Sequence, residues 1–341
     1  MTTSRPLGIA ANPASGKDIR RLVARASVFD NQEKRAIVRR AIVGAIASGV
    51  RDFRYMPDTH GITAAAADEF GDEATFVAVE TTHTASALDT IRAAESMQAE
   101  GCGAVITLGG DGTNRAFALG WQDAPLVPVS TGTNNVFPTM VEATVAGSAA
   151  GLVASGKIPL ERVARQVKAI HVEIDGERED IALIDAVLAA DRFVGSRAIW
   201  GGERLREAVL TRAEPPAVGI TSIGGLLTPL TPDEDEALHL RLGPGEGGVS
   251  VLAPIAPGLY EPIAVRSHER LALGAPVTVT GPGVLAFDGE RERVLKPGQG
   301  ATLRVARDGP WVIDVHAALT HAACAGLYSE EVSEPSGSPE A

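Results

Sequence analysis

The chain has two cysteines in 341 residues, Cys102 and Cys324, too few for a disulfide framework and without metal-ligand spacing. Each reads as a small packed side chain. Basic residues are also short: 31 Lys and Arg against 43 Asp and Glu give a net charge of −12, which argues against nucleic acid or an anionic membrane surface as the main partner. Nucleotides remain open to it, because a few backbone N–H groups, a magnesium ion and one or two cations hold phosphates whatever the global charge. No run approaches 18 uninterrupted apolar residues, and the start Met1-Thr2-Thr3-Ser4-Arg5-Pro6 lacks the apolar region of a signal peptide, so a cytoplasmic location is expected. The seven histidines, His60, His83, His171, His239, His268, His316 and His321, are scattered with no spacing for a metal site or a nucleophile relay. No internal repeat is visible.

What is present is a folding composition, 45% apolar and 22% charged, in a length that suits two domains. The first 145 residues alternate strands and helices. Residues 7–11 form a short apolar strand that ends in Asn12-Pro13-Ala14-Ser15-Gly16-Lys17, and a helical pattern with Ile19, Leu22, Val23 and Ala26 follows. Asp30, with Glu33 three residues on, predicts a capping box opening a helix through Ile37, Ile42 and Ile46 to Gly49. Strands are expected at 53–56 and 75–79, with an alanine-rich helix at 64–70 between them. Leu88, Ile91, Ala94 and Met97 predict one stripe of a helix that stops at Gly101, before a fully apolar strand at 104–108. Such alternation implies a parallel sheet covered by helices, with ligands near the carboxyl ends of its strands.

Beyond a helical run at 143–154 the punctuation changes. Strand-like stretches at 169–174, 249–255, 277–280, 284–287 and 301–305 are separated by Gly and Pro turns, so residues 146–328 are expected to be a β-rich, sandwich-like domain. A last β stretch at 311–315 leads into a closing helix at about 316–327, and residues 329–341 read as a disordered acidic tail.

Two loops carry most of the chemistry. Gly109-Gly110-Asp111-Gly112-Thr113 follows a buried strand and precedes a helix, so its glycines let the backbone approach an anion while the helix aims free N–H groups at phosphate. Asp111 in the same turn binds magnesium or accepts a hydroxyl proton. A plain turn in which Asp111 helps to cap the next helix fits the same residues. Ser130-Thr131-Gly132-Thr133-Asn134-Asn135 repeats the strand, small polar loop and helix form, and its hydroxyls and amides suit phosphate and ribose; an Asn-capped helix start also explains it. The Asn12 to Lys17 loop is a third candidate, with Asn12, Ser15 or Lys17 touching phosphate, although it is not a Walker A loop. Arg20, Arg21 and Arg115 either meet phosphates or lie on solvated helix faces.

In order and spacing, the Asn-Pro-x-Ser-Gly-Lys, Gly-Gly-Asp-Gly-Thr and Thr-Gly-Thr-Asn-Asn segments resemble the superfamily of NAD kinases, diacylglycerol kinases and sphingosine kinases. The resemblance runs over about residues 7–315 and includes residues 252–265 and Leu285-Ala286-Phe287-Asp288-Gly289-Glu290. Its closest branch is the acetoin catabolism X protein family. It implies transfer of the ATP γ-phosphoryl group to a hydroxyl acceptor with magnesium, NAD being the first candidate acceptor. Asp111 is then the catalytic carboxylate and metal ligand. Gly109, Gly110, Gly112, Thr113 and Asn114 lie against phosphates, Thr131, Gly132, Thr133, Asn134 and Asn135 across the nucleotide, and Asp185 near the acceptor with Asp288. Asp288-Gly289 is either a catalytic-side turn or a hairpin corner. A homo-oligomer is implied as well. Two departures bear on the acceptor: Ala182-Leu183-Ile184-Asp185 lacks the amide side chain that NAD kinases carry in this segment, and residues 219–225 replace their Gly-Ser-Thr-Ala-Tyr stretch. They motivate an alternative, a nucleotide-binding accessory or sensor protein that has lost transfer chemistry. A lipid kinase is disfavoured because no basic or amphipathic apolar segment suits a membrane surface.

Overall fold

The computed structural model describes residues 4–15, 30–132, 134–190 and 202–329. Lys17, Thr133, Arg20, Arg21, the expected helix at 19–26 and the tail from 330 onward lie outside those residues. In chain order the first half comprises β1 (Leu7–Ala11), α1 (Asn31–Ala47), β2 (Asp52–Tyr55), α2 (Ile62–Ala67), β3 (Thr75–Ala78), α3 (Ala87–Ala99), β4 (Ala104–Gly109), α4 (Asp111–Gly120), β5 (Pro125–Ser130) and α5 (Ala143–Ala154). Then follow α6 (Leu160–Val163), β6 (Ala164–Gln166), β7 (Ala169–Ile174), β8 (Asp180–Ala182), β9 (Asp185–Ala189), β10 (Leu205–Leu210), α7 (Ile220–Gly225), β11 (Glu236–Leu242), β12 (Val249–Ala256) and β13 (Leu259–Ala272). The chain closes with β14 (Val277–Thr280), β15 (Gly283–Phe287), β16 (Glu290–Leu295), β17 (Gly300–Ala306), β18 (Trp311–Ile313) and α8 (Val315–Cys324).

Strands β1 to β5 are parallel, in the order β3-β2-β1-β4-β5. Strands β1, β4 and β5 are wholly buried, as expected for near-continuous apolar runs covered on both faces. The strand order reverses between β1 and β4, which opens a crevice outside their carboxyl ends. Register fixes which loops meet there: Ala11 pairs with Leu108 and Gly109 with Ser130, so the three candidate loops leave the sheet side by side.

Local chemistry sets the helix limits. The Asp30 carboxylate accepts the Glu33 N–H at 2.8 Å and so caps α1, and Gly49, at φ 102°, turns the chain after it. Helix α3 buries Thr90, Ala93, Ala94 and Met97, whereas Leu88 is 40% exposed. The expected stripe through Leu88 is thus rotated, because the small residues Ala93 and Ala94 let the helix lie close to its neighbours. Helices α1 and α5 cross more closely still: a Cβ on Gly147 would strike the Ala41 carbonyl, and one on Gly44 the Thr144 carbonyl.

The second half is β-rich. A seven-stranded antiparallel sheet, β12-β13-β11-β10-β9-β15-β16, packs on a four-stranded sheet, β14-β17-β7-β8, around Ile170, Val172, Leu285, Phe287 and Leu303. The chain then returns to the first sheet. Strand β18 runs parallel to β5, β6 pairs antiparallel with β18, and Ala318 and Ala322 of α8 share the core of α1 and α5. The first sheet thus takes strands from both ends of the chain. Residues Ala10, Val105, Phe117 and Leu126 also share one apolar cluster with Ile181, Leu183 and Ile184, so the two halves are joined by core packing. No described helix is long and apolar enough to cross a membrane.

The crossing of α1 and α5 yields a stability prediction. Alanine for an interior helical glycine gains about 1 kcal/mol in propensity, but overpacking costs about 1–3 kcal/mol, and at Gly147 the obstacle is backbone. Gly147→Ala is expected to lower the urea midpoint with unchanged m. A midpoint at or above the wild-type value would contradict the crossing.

Candidate functional site

The loop after β1 is held from below. Lys34 of α1 has no exposed surface, and its Nζ donates to the carbonyls of Asn12, Pro13 and Ser15 at 3.0, 2.9 and 2.5 Å. A cation buried among carbonyl oxygens draws those dipoles inward and fixes the loop's path. Lys34 was not among the sequence candidates, yet it sits three and four residues before Ile37 and Val38 on the buried face of α1. A charge on an apolar stripe is the signal that would have found it.

That loop then latches onto the other two. Asn12 Nδ2 donates to Thr113 Oγ1 at 2.9 Å, and Thr131 Oγ1 donates to Ser15 Oγ at 3.1 Å. Within the glycine turn, Gly110 is the N-cap of α4 and no side chain caps the helix. Space is tight around each glycine: a Cβ on Gly109 would strike the Thr113 side chain, one on Gly110 would lie 3.0 Å from Asn135 Oδ1, and one on Gly112 2.9 Å from Glu290 Oε1. Asn114 lies beneath the turn, wholly buried, accepting from Thr107 Oγ1 at 2.7 Å and donating to the Gly110 carbonyl at 2.9 Å. Its side chain therefore braces the turn.

Asp111 does not cap its own helix. Its Oδ1 accepts the amides of Phe137 at 2.8 Å and Val136 at 3.0 Å, and Oδ2 accepts Val136 again at 3.2 Å. The carboxylate thereby joins the glycine turn to the segment that follows the β5 loop. It is half-buried by exposed area yet crowded by protein, and desolvation above all, with the charge of Asp288, pushes its pKa up to about 6 against the pull of the two amides and Arg212.

The β5 loop departs from the expected strand, loop and helix form. After Asn135 the chain folds back on β5, with the Ser130 N–H on the Thr139 carbonyl at 2.9 Å and the Thr139 N–H on the Pro128 carbonyl at 3.2 Å. Pro138 disfavours helical geometry at Phe137, and the next helix waits until Ala143, capped by Glu142. Asn135 Nδ2 donates to Ser130 Oγ at 2.7 Å, while Asn134 Oδ1 is buried without a partner among the described residues.

The β-rich half supplies the facing wall. Asp288 and Gly289, at φ 49° and 80°, form the two-residue corner between β15 and β16. The Asp288 carboxylate accepts the amides of Leu183, Ile184 and Asp185 at 2.9, 2.7 and 3.2 Å, and burial raises its pKa. It is thus a hairpin corner whose acid organises the residue 182–185 turn and buries Asp185 beside it. Arg115 lies on no solvated face. Its Nε donates to the Ile181 carbonyl and Nη2 to Asp180 Oδ1, each at 2.6 Å, and its guanidinium stacks 5.0 Å from the Phe287 ring centre. Asp180, which also takes Arg293 at 2.8 Å, makes this a buried clamp between α4 and β8. Of residues 219–225, Gly219 is the N-cap and Ile220–Gly225 form α7, where Ser222 Oγ donates to the Gly219 carbonyl at 2.6 Å.

Known proteins match both halves of this arrangement. Residues 8–158 match the family model of the ATP-NAD kinase N-terminal domain, and residues 168–308 that of the acetoin catabolism protein X C-terminal domain. Among solved structures, yeast NADH kinase complexed with NADH is similar at a TM-score of 0.49 and 12% identity, over 98% of this chain and 91% of that one. A putative diacylglycerol kinase from Bacillus anthracis is similar at 0.48 and 13%, over 92% and 99%. The residues that carry the glycine turn and its sheet are those matched by the ATP-NAD kinase N-terminal domain model. Acetoin catabolism protein X of Cupriavidus necator is 38% identical over 329 residues, which span 93% of this chain and 92% of that protein. The chain belongs to the acetoin catabolism protein X family.

The raised pKa of Asp111 has a stability consequence of definite sign. A folded pKa of about 6 against an ordinary 3.8 means that the folded state holds this proton more tightly than the unfolded chain. The associated stability is complete below pH 3.8 and is lost as pH rises through about 6. Asp111→Asn keeps an acceptor for the Phe137 amide and removes the charge. Urea denaturation should show it gaining about 1–2 kcal/mol on the wild type between pH 4 and pH 7.5, after discounting for solvent screening. An offset that does not change with pH would refute the assignment.

Proposed function

We propose that the chain is a cytoplasmic phosphotransferase that moves the γ-phosphoryl group of ATP to a hydroxyl acceptor, NAD being the first candidate. One observation carries this reading: a carboxylate with a raised pKa stands at the junction of three small polar loops that leave adjacent parallel strands. The match to the ATP-NAD kinase N-terminal domain supports the donor and the acceptor class.

In this reading Asp111 accepts the proton of the acceptor hydroxyl while that hydroxyl's oxygen bonds to the γ-phosphorus and the bond from phosphorus to ADP breaks. A carboxylate with a pKa of about 6 is a stronger base than an ordinary aspartate. The backbone at Gly109, Gly110 and Gly112 and the uncapped start of α4 would cradle phosphates, with Asn12, Ser15 and Lys17 beside them. The buried, unpartnered Asn134 Oδ1 seeks a donor, which a ribose hydroxyl supplies; Thr131, Thr133 and Asn135 complete that side. Asp185 and Asp288 border the acceptor, Asp288 acting through the backbone it holds. Asp111 Oδ2 accepts one long bond, so it keeps a lone pair for a hard cation. One carboxylate is the donor set that suits magnesium arriving with phosphates, which supply the other oxygens. Such an ion neutralises phosphate charge during transfer. Exposed Leu252 and Tyr260 on the β12–β13 hairpin, 62% each, support a homo-oligomer joined through the β-rich half.

A second reading, a nucleotide-binding accessory or sensor protein of acetoin catabolism, draws on Ile184 and on the two amides that already occupy Asp111. Incubation with ATP, magnesium and NAD separates the two. Transfer predicts NADP or another phosphorylated alcohol from the wild type, a kcat/KM that rises with pH through about 6 as Asp111 deprotonates, and a loss of about 100- to 10,000-fold in Asp111→Asn. ATP binding without transfer to any hydroxyl would establish the accessory reading, and near-normal turnover by Asp111→Asn would refute the role of that residue.

A further inference from the structure

Arg212 stands on the same cleft, and none of the three loops contains it. Its backbone is pinned on both sides. The Thr211 N–H donates to the Ile184 carbonyl at 2.9 Å and Thr211 Oγ1 to the Leu183 carbonyl at 2.7 Å, while Ala213 and Leu230 exchange N–H bonds at 2.8 and 2.9 Å. The segment that receives Thr211 is the one whose amides hold Asp288, so the frame around Arg212 is fixed by the β-rich half. From there Nη1 reaches the Val136 carbonyl at 3.4 Å, and the amide of that residue binds Asp111. One residue thus carries both the acid and the cation.

The guanidinium is poorly satisfied for its depth. That bond is long, and Nε is buried with no partner, the only buried arginine nitrogen so left among the described residues. No carboxylate of the described residues lies within ion-pair distance of it, although Glu214, Asp111 and Asp288 all act on it through charge, and desolvation lowers its pKa. Arg115, by contrast, has an ion pair, a carbonyl and a ring face. An arginine withdrawn from water with donors unfilled is stabilised by an anion of several oxygens, which its planar fork binds bidentately. The uncapped start of α4, a ten-residue helix, opens on the same cleft and favours the same sign of ligand.

We propose that Arg212 is the cation of a polyphosphate subsite between the two halves, where its guanidinium holds the terminal phosphoryl oxygens of a nucleoside triphosphate beside Asp111. The proposal deepens the phosphotransferase reading and rests on it. It assigns to the β-rich half one side of the phosphate grip, with the glycine turn as the other. During transfer Arg212 would neutralise charge on the phosphoryl group while the proton moves to Asp111.

The test measures binding in the full chain by calorimetry, with ATP, inorganic tripolyphosphate and adenosine as probes against the wild type, Arg212→Gln and Arg212→Lys. The expected result is a 10- to 100-fold loss of ATP and tripolyphosphate affinity in Arg212→Gln, partial recovery in Arg212→Lys and unchanged adenosine affinity. A merely structural role would weaken all three probes together, and that outcome, or unchanged tripolyphosphate affinity, overturns the proposal. The wild type gives a readout that needs no glutamine variant. Its Arg212 Nε–H resonance, assigned by its loss in Arg212→Lys, should shift with tripolyphosphate and not with adenosine; the reverse pattern overturns the proposal. ATP binding and phosphate transfer that do not depend on Arg212 would leave the phosphotransferase reading standing alone. A wild type that binds neither ATP nor tripolyphosphate would remove both.

Discussion

The carboxylate of Asp111 on the amides of Val136 and Phe137 is the contact on which the site depends. It bridges the turn after β4 and the segment after β5, so the positions of both loops are set by one group. A carboxylate accepting backbone N–H bonds would ordinarily have a low pKa. Here burial and a neighbouring acid win, and the group titrates near 6. The same contact therefore shapes the cleft and makes Asp111 a better base. It also explains why a second reading exists, since an acid engaged in structure is an acid partly withdrawn from chemistry.

Around that contact the two halves are joined by elements with different physics. The apolar cluster from Ala10 and Phe117 to Ile184 supplies non-directional burial, and the Arg115–Asp180 pair supplies register between α4 and β8. Asp288 then uses three amides of the 182–185 turn, and Thr211 uses two carbonyls of it. A turn gripped from both sides leaves little freedom for Asp185 or for Arg212. Lys34 does the equivalent for the loop after β1. The cleft is thus built from loops, but each loop is fixed by a buried polar group.

What was legible in the sequence was local. The apolar runs of β1, β4 and β5, the Asp30 cap and the glycine turn all follow from neighbours within a few residues, and the parallel sheet follows from their alternation. The β5 loop suits a helix start because its small polar residues resemble a cap; the competing signal is Pro138, after which Thr139 bridges Val129 parallel to β5. The pairing of β18 with β5 joins residues nearly two hundred positions apart and has no local signature. Arg115 and Asp288 have partners about 65 and 105 positions away, and Arg212 reaches Val136 across 76, so their roles emerge only when the two halves meet. Strands β6, β8 to β11, β13 and β16 have no counterpart among the sequence expectations, because their partners across the sheet, not their own composition, define them.

The central claim is that phosphates lie on the junction held by Asp111. Backbone-amide chemical-shift mapping of the full chain with magnesium and a non-hydrolysable ATP analogue tests it most directly. The account predicts saturable shifts at Gly110, Gly112, Gly132 and Val136, with the β17 amides unmoved. A saturable response confined to other surfaces, with those four amides silent, would contradict it.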